Sequence, residues 1–112
     1  MSTPRIHRVT LFKLPDPEAQ QKLLDAYETL GRKQSKDGKP YLLYLCAGAS
    51  TNADLRAQGY TVAAQTEFAS EEDVLFYDEQ CAAHGELKRT ATALGLAGKP
   101  LTMSFSGSPM IS

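Results

Sequence analysis

Residues 60–73 read YTVAAQTEFASEED, and the change of period inside this stretch decides the fold. Up to Phe68 the pattern alternates: Tyr60, Val62, Ala64, Thr66 and Phe68 fall on one face of an extended strand. Ser70 then offers a hydroxyl at a helix start, and Glu71, Glu72 and Asp73 follow where the helix dipole favours acids. Asp73, three residues after Ser70, is expected to complete a variant capping box. The stretch is a strand that feeds a helix.

Working outward, PYLLYLCAGA at 40–49 reads as another strand, with Tyr41, Leu43 and Leu45 on one side and Leu42, Tyr44 and Cys46 on the other. The polar segment GASTNADLRAQG between these two strands is a loop with a short helical turn near Ala53–Gln58. Nearer the start, IHRVTLFKL at 6–14 sets His7, Val9 and Leu11 on one face and Ile6, Thr10, Phe12 and Leu14 on the other. DPEAQQKLLDAYETLGRK opens on Asp16 as a cap with Pro17 in the first helical position, and Ala19, Leu23, Tyr27 and Leu30 form its apolar stripe. Gly31 and the polar run RKQSKDGK are expected to end that helix. Beyond the capped helix, HGELKRTATALGL is a further helical stretch, LTMSF at 101–105 is the last strand, and GSPMIS at 107–112 is a flexible tail.

The order is βαββαβ, which predicts an α+β, ferredoxin-like fold: a four-stranded antiparallel sheet with helices over one face. The whole chain, 1–112, reads as a single domain with its core at about 5–106. The strands are apolar on both sides, yet the helices cover only one. A bare apolar sheet face of that size needs a cover, and the simplest is a second copy, giving a homodimer that closes sheet against sheet into an α/β barrel.

Composition narrows the rest. Twelve basic and thirteen acidic residues leave a net charge of −1, which favours neither nucleic acid nor an anionic membrane as partner. No apolar run approaches the ~20 residues of a membrane span, and MSTPRIHRVT lacks the core of a secretion signal, so a cytoplasmic address is expected. Cys46 and Cys81 lack CxxC spacing and read as reduced, half-buried packing residues. Two histidines without close ligand partners give no metal pattern, GLAGKP lacks the residues of a phosphate loop, and neither GxSxG nor a dinucleotide fingerprint is present. No cofactor is expected.

The chemistry concentrates in YDEQCAAH at 77–84. In one unbroken helix, Tyr77 and His84 would share a face about 20° apart but stand about 10 Å apart along the axis. Side chains also lean toward the N-terminus, so the tyrosine would point away from the histidine. A working pair therefore requires the helix to break near Gln80–Ala83, against the helix-forming tendency of Ala82 and Ala83. The plainer alternatives stay open: Tyr77 and Tyr27 as core residues, His84 as a cap on helix carbonyls, and His7 facing either the helices or the barrel interior.

Taken together, His7 in IHRVTLFK, GYT at Gly59–Thr61, DGKPYLLYL, and FASEEDVLFYDEQCAAH at Phe68–His84 resemble the stress-responsive A/B barrel domain family, in its fungal-like branch. The resemblance implies a small dimeric α/β barrel. Some members of the family are known only for stress induction. Others, including a plant polyketide cyclase, close polyketide-like chains by an aldol step. For that branch the resemblance implies a cavity site built from two histidines and two tyrosines, matched here by His7, Tyr27, Tyr77 and His84. The family's Tyr-x-x-His-Pro-x-His run is altered: this chain is one residue longer there, with Cys81 and Ala82 where His and Pro would stand.

Two functional readings follow. In the first, His84 is a general base and Tyr77 the orienting donor of a cofactor-independent cyclisation or lyase step, with His7 and Tyr27 contacting a small polyketide-like substrate. In the second, the barrel is a non-catalytic stress-responsive dimer or a carrier. A small apolar or aromatic ligand is the expected guest of either cavity.

Overall fold

The computed structural model describes residues 4–107, so the expected tail at 107–112 lies, beyond Gly107, outside the described residues. The elements are β1 (Ile6–Phe12), α1 (Pro17–Lys33), β2 (Tyr44–Ala49), a 3-10 turn at Leu55–Ala57, β3 (Val62–Phe68), α2 (Glu71–Glu79), α3 (Ala82–Ala93) and β4 (Leu101–Phe105). The sheet has four strands in the order β2-β3-β1-β4, and every pairing is antiparallel. This is the ferredoxin-like arrangement expected from the strand and helix order, with the second helical segment divided in two.

Register and alternation together build the core. Ile6, Arg8, Thr10 and Phe12 of β1 stand opposite Phe68, Thr66, Ala64 and Val62 of β3, and this face meets the helices. Phe68, Leu23, Leu14 and Leu30 are sealed from solvent, and the α1 stripe of Ala19, Leu23, Tyr27 and Leu30 is buried as its spacing predicts. Asp16 caps α1 by accepting from the Glu18 amide at 3.2 Å. The opposite sheet face carries His7, Val9 and Leu11 beside Phe105, Met103 and Leu101. Met103 is 61% exposed and Leu101 52%, so within one chain this apolar face is bare.

Several boundaries and one cap differ from what the sequence predicts. α1 passes through Gly31 and stops at Lys33, because Gly31 serves as a contact: a Cβ there would lie 3.2 Å from Leu45 Cδ2 of β2. β2 starts at Tyr44 because the Tyr41 and Leu42 amides donate to Gln34 Oε1, at 2.9 and 3.1 Å, and not to a neighbouring strand. At α2, Ser70 Oγ accepts from the Asp73 amide at 3.2 Å, but the Asp73 carboxylate turns to Lys36 Nζ at 2.7 Å, so only half of the capping box forms. α3 begins at Ala82 and ends at Ala93, earlier at both ends than the 84–96 segment. The cysteines differ from each other: Cys81 is buried, while Cys46 is exposed on the bare face.

Candidate functional site

The helix does break. α2 ends at Glu79, Gln80 leaves helical geometry, and Cys81 is extended (φ −70°, ψ 113°) before α3 begins. Ala82 and Ala83 start the new helix instead of bridging the old one, which is how two good helix formers coexist with a break. The end of α2 leaves backbone carbonyls without partners in the helix, and the two residues of the break together with α3 supply donors for them. Phe76 O accepts from both the Gln80 and Cys81 amides, Tyr77 O from His84, and Asp78 O from Lys88 Nζ at 2.8 Å.

Because the chain turns, His84 folds back onto Tyr77. Their rings stack with centroids 3.6 Å apart and planes 12° apart. His84 Nδ1 lies 2.7 Å from the Tyr77 carbonyl oxygen. A carbonyl only accepts, so Nδ1 carries the proton, and in the neutral ring Nε2 keeps its lone pair. The deeply buried side-chain polar atom left without a partner among the described residues is Tyr41 Oη, so Nε2 is not sealed away. His84 therefore caps a helix with one nitrogen and presents the other to a cavity.

That cavity, about 490 Å³, lies between α1, α3 and the helix-facing side of β1, β3 and β4. It is large enough for a small-molecule ligand. Tyr27, Tyr77 and His84 line it together with Arg8, while Leu87, Ala91 and Leu96 supply apolar wall. A larger depression of about 590 Å³ between α1 and β2 is bordered by the surface carboxylates Asp25 and Glu28 and holds neither histidine.

Three of the four residues singled out in the sequence thus meet, and the fourth does not. His7 sits on the bare face, stacked on Phe105 at 5.0 Å, with Nδ1 3.6 Å from Glu67 Oε1. The sheet stands between His7 and the cavity, so a ligand there cannot touch it. The cavity likewise lies on the helix side of the sheet, not inside a sheet-on-sheet barrel. The neighbour of His7 takes the place expected for it: Arg8 projects inward, with Nη2 2.9 Å from Asp78 Oδ2 and Nη1 bonded to Oδ1. A signal for this was present. An arginine on a strand face shared with Ile6 and Phe12 must find a partner in the interior.

Electrostatics follow from burial. Burial first, offset in part by the Tyr77 carbonyl, pulls the His84 pKa down to about 4, and Lys88 and Arg8 add to the fall. The ring is neutral at pH 7. Burial first, then the nearby Tyr27, pushes the Tyr77 hydroxyl up, and burial does the same to Tyr27; Arg8 pulls both back. Two protonated phenols and a neutral imidazole therefore share the cavity with one arginine.

The stress responsive A/B barrel domain model matches residues 6–94 of this chain. The chain belongs to that family. This A/B barrel domain is 39% identical over 94 residues to a fusaristatin A biosynthesis cluster protein of Gibberella zeae, which covers 84% of this chain and 67% of that one. Among solved structures it resembles the hydroxynitrile lyase of Passiflora edulis, with a TM-score of 0.75, 13% identity, and 97% and 98% of the two chains covered. It also resembles a dimeric, ferredoxin-like protein of unknown function from Bacteroides fragilis, with a TM-score of 0.72, 18% identity, and 96% and 100% covered. At these identities the structures speak for the fold alone. Among the described residues of this A/B barrel domain, no helix is long and apolar enough to cross a membrane.

The depressed His84 pKa also makes the domain's stability depend on pH. Between about 6.5 and 4 the unfolded chain binds a proton at His84 that the folded domain refuses, so stability falls as pH falls through this window. The half-buried position trims the full shift to about 1–3 kcal/mol. Urea unfolding at pH 7 and pH 4.5 is expected to show this loss in the wild type and a smaller one in His84→Gln. Equal losses would remove His84 as the cause.

Proposed function

We propose that the protein is a cytoplasmic, dimeric, cofactor-independent acid–base catalyst that makes or breaks a carbon–carbon bond beside a carbonyl of a small polyketide-like molecule. It is a cyclase or lyase in reaction class. The single observation that carries this reading is the hydrogen bond from His84 Nδ1–H to the Tyr77 carbonyl, which leaves Nε2 as a free base on a cavity lined by two tyrosines.

In the forward direction Nε2 takes an acidic proton from the carbon between two carbonyls. The electron pair moves onto the carbonyl oxygen, and the Tyr77 hydroxyl, with Tyr27 nearby, donates to that developing enolate. The enolate carbon then attacks a second carbonyl of the same chain, and the proton on His84 passes to the new alkoxide. A base held at a pKa of about 4 is always available at neutral pH but weak. The negative charge that develops beside it favours the imidazolium and raises its basicity as the reaction proceeds. The family membership and the name of the Gibberella zeae relative support a small-molecule substrate from a biosynthetic route. The bare sheet face supports the dimer.

The test uses a 3,5-diketo thioester in deuterium oxide and follows hydrogen–deuterium exchange at the carbon between the carbonyls by NMR. Exchange faster with protein than in buffer at the same pH is expected. Binding of the probe without faster exchange would replace catalysis with a carrier role, a reading that the low basicity of His84 favours.

A further inference from the structure

We propose that Arg8 and Asp78 are the positioning residues of the Tyr77–His84 pair: their link between the centre of the sheet and the end of α2 holds the break at which His84 turns back. The inference concerns the same site and takes its catalytic meaning from the proposed function. Its test, however, reads geometry and not turnover.

Packing alone anchors α2 weakly. The helix has nine residues and buries only Val74 and Tyr77. Ion links hold both of its ends. Near its start, Lys36 Nζ meets Asp73 at 2.7 Å and Glu72 at 3.2 Å. Near its end, Asp78 receives two parallel N–H bonds from Arg8, the geometry in which a guanidinium fixes orientation as well as distance.

Arg8 is itself fixed from two further sides. Its Nε donates to Ser104 Oγ of β4 at 3.1 Å. Its guanidinium lies 5.9 Å from the Phe68 ring centroid, and Phe68 meets the Tyr77 ring edge-on at 5.1 Å. Asp78 is gripped a second time, because its carbonyl accepts from Lys88 one turn beyond His84 on α3. The two residues at the helix end are therefore tied in succession: Tyr77 by its ring and its carbonyl, Asp78 by its carboxylate to the sheet and its carbonyl to α3. Release of Asp78 frees the end of α2 to rotate, and the Tyr77 carbonyl moves away from His84.

The groups around the imidazole allow a test by sign. Facing it are Tyr77 and Asp78 of α2, Arg8 of β1, Tyr27 of α1 and Lys88 of its own helix. Removal of the Asp78 charge alone would push the His84 pKa lower, since a nearby negative charge favours imidazolium. Loss of the enclosed, stacked geometry would let water in and move it up.

The experiment is a ¹⁵N-edited NMR titration of His84 in the wild type, Asp78→Ala and Arg8→Lys, with amide exchange of β1 and β3 as the check on folding. In Asp78→Ala the midpoint is expected to rise by about one unit or more, and the single Nδ1–H tautomer to give way to a mixture. Arg8→Lys keeps the charge but loses the two parallel bonds, and the same upward move is expected; it carries the test if Asp78→Ala does not fold. A midpoint that stays or falls in the folded variants, with Nδ1–H retained, overturns the proposal. If the variants shift as expected while the wild type fails to speed exchange on the diketo probe, the reaction class falls and the positioning role stands.

Discussion

His84→Gln should cut deuterium exchange on the 3,5-diketo thioester by about 10²–10⁴-fold, the usual loss when a positioned general base is removed. The substitution is chosen for what it keeps. A glutamine amide can still donate toward the Tyr77 carbonyl that now accepts from Nδ1 at 2.7 Å, so the cap on α2 has a substitute. It has no basic lone pair to replace Nε2. Tyr77→Phe keeps the stacked ring and the buried bulk but loses the hydroxyl that would hold the enolate oxygen, and about a 10²-fold loss is expected. If His84→Gln retains the wild-type rate, the base lies elsewhere and the assigned roles are wrong.

The second large effect is on assembly. Met103→Asp is expected to turn a dimer into a monomer at micromolar concentration, as read by sedimentation velocity. Met103 is 61% exposed in the single chain and stands beside Val9 on the bare face, so a charge there costs the monomer little. Buried against the sheet of a second copy, an unpaired carboxylate costs about 3–5 kcal/mol, enough to weaken the dimer by more than 10²-fold. A variant that still sediments as a dimer would move the interface to another face. A monomeric wild type would remove the second copy as the cover.

Much of the fold was legible because each strand declares its own alternation. Val62 to Phe68 point as their period predicts, the α1 stripe is buried, and the strand and helix periods carried the order of elements. The end of α1 and the start of β2 share one physical cause, which is that a tertiary contact overrode a local signal. Gln34 captures the amides that would have begun β2, and Leu45 makes Gly31 a packing contact instead of a stop.

The site was legible by residue type more than by direction. Alternation grouped His7 with Val9 and Leu11 but could not say that this group faces away from the cavity. It also passed over Arg8, whose partner Asp78 lies seventy residues along the chain. The break between Tyr77 and His84 was identified as the necessary condition, yet no proline or glycine marks it. Its determinants are the capping of α2 carbonyls by α3 side chains and the pull of Arg8 on Asp78, and both are distant in sequence.

The most direct test of the central claim is the titration of His84 in the wild-type protein by ¹⁵N NMR, with its tautomer read at neutral pH. A midpoint near 4, with the proton on Nδ1, is the result the stacked and enclosed pair predicts. A midpoint near 6.5 with the proton on Nε2 would mean an imidazole in open water, no free base on the cavity, and no joint site with Tyr77.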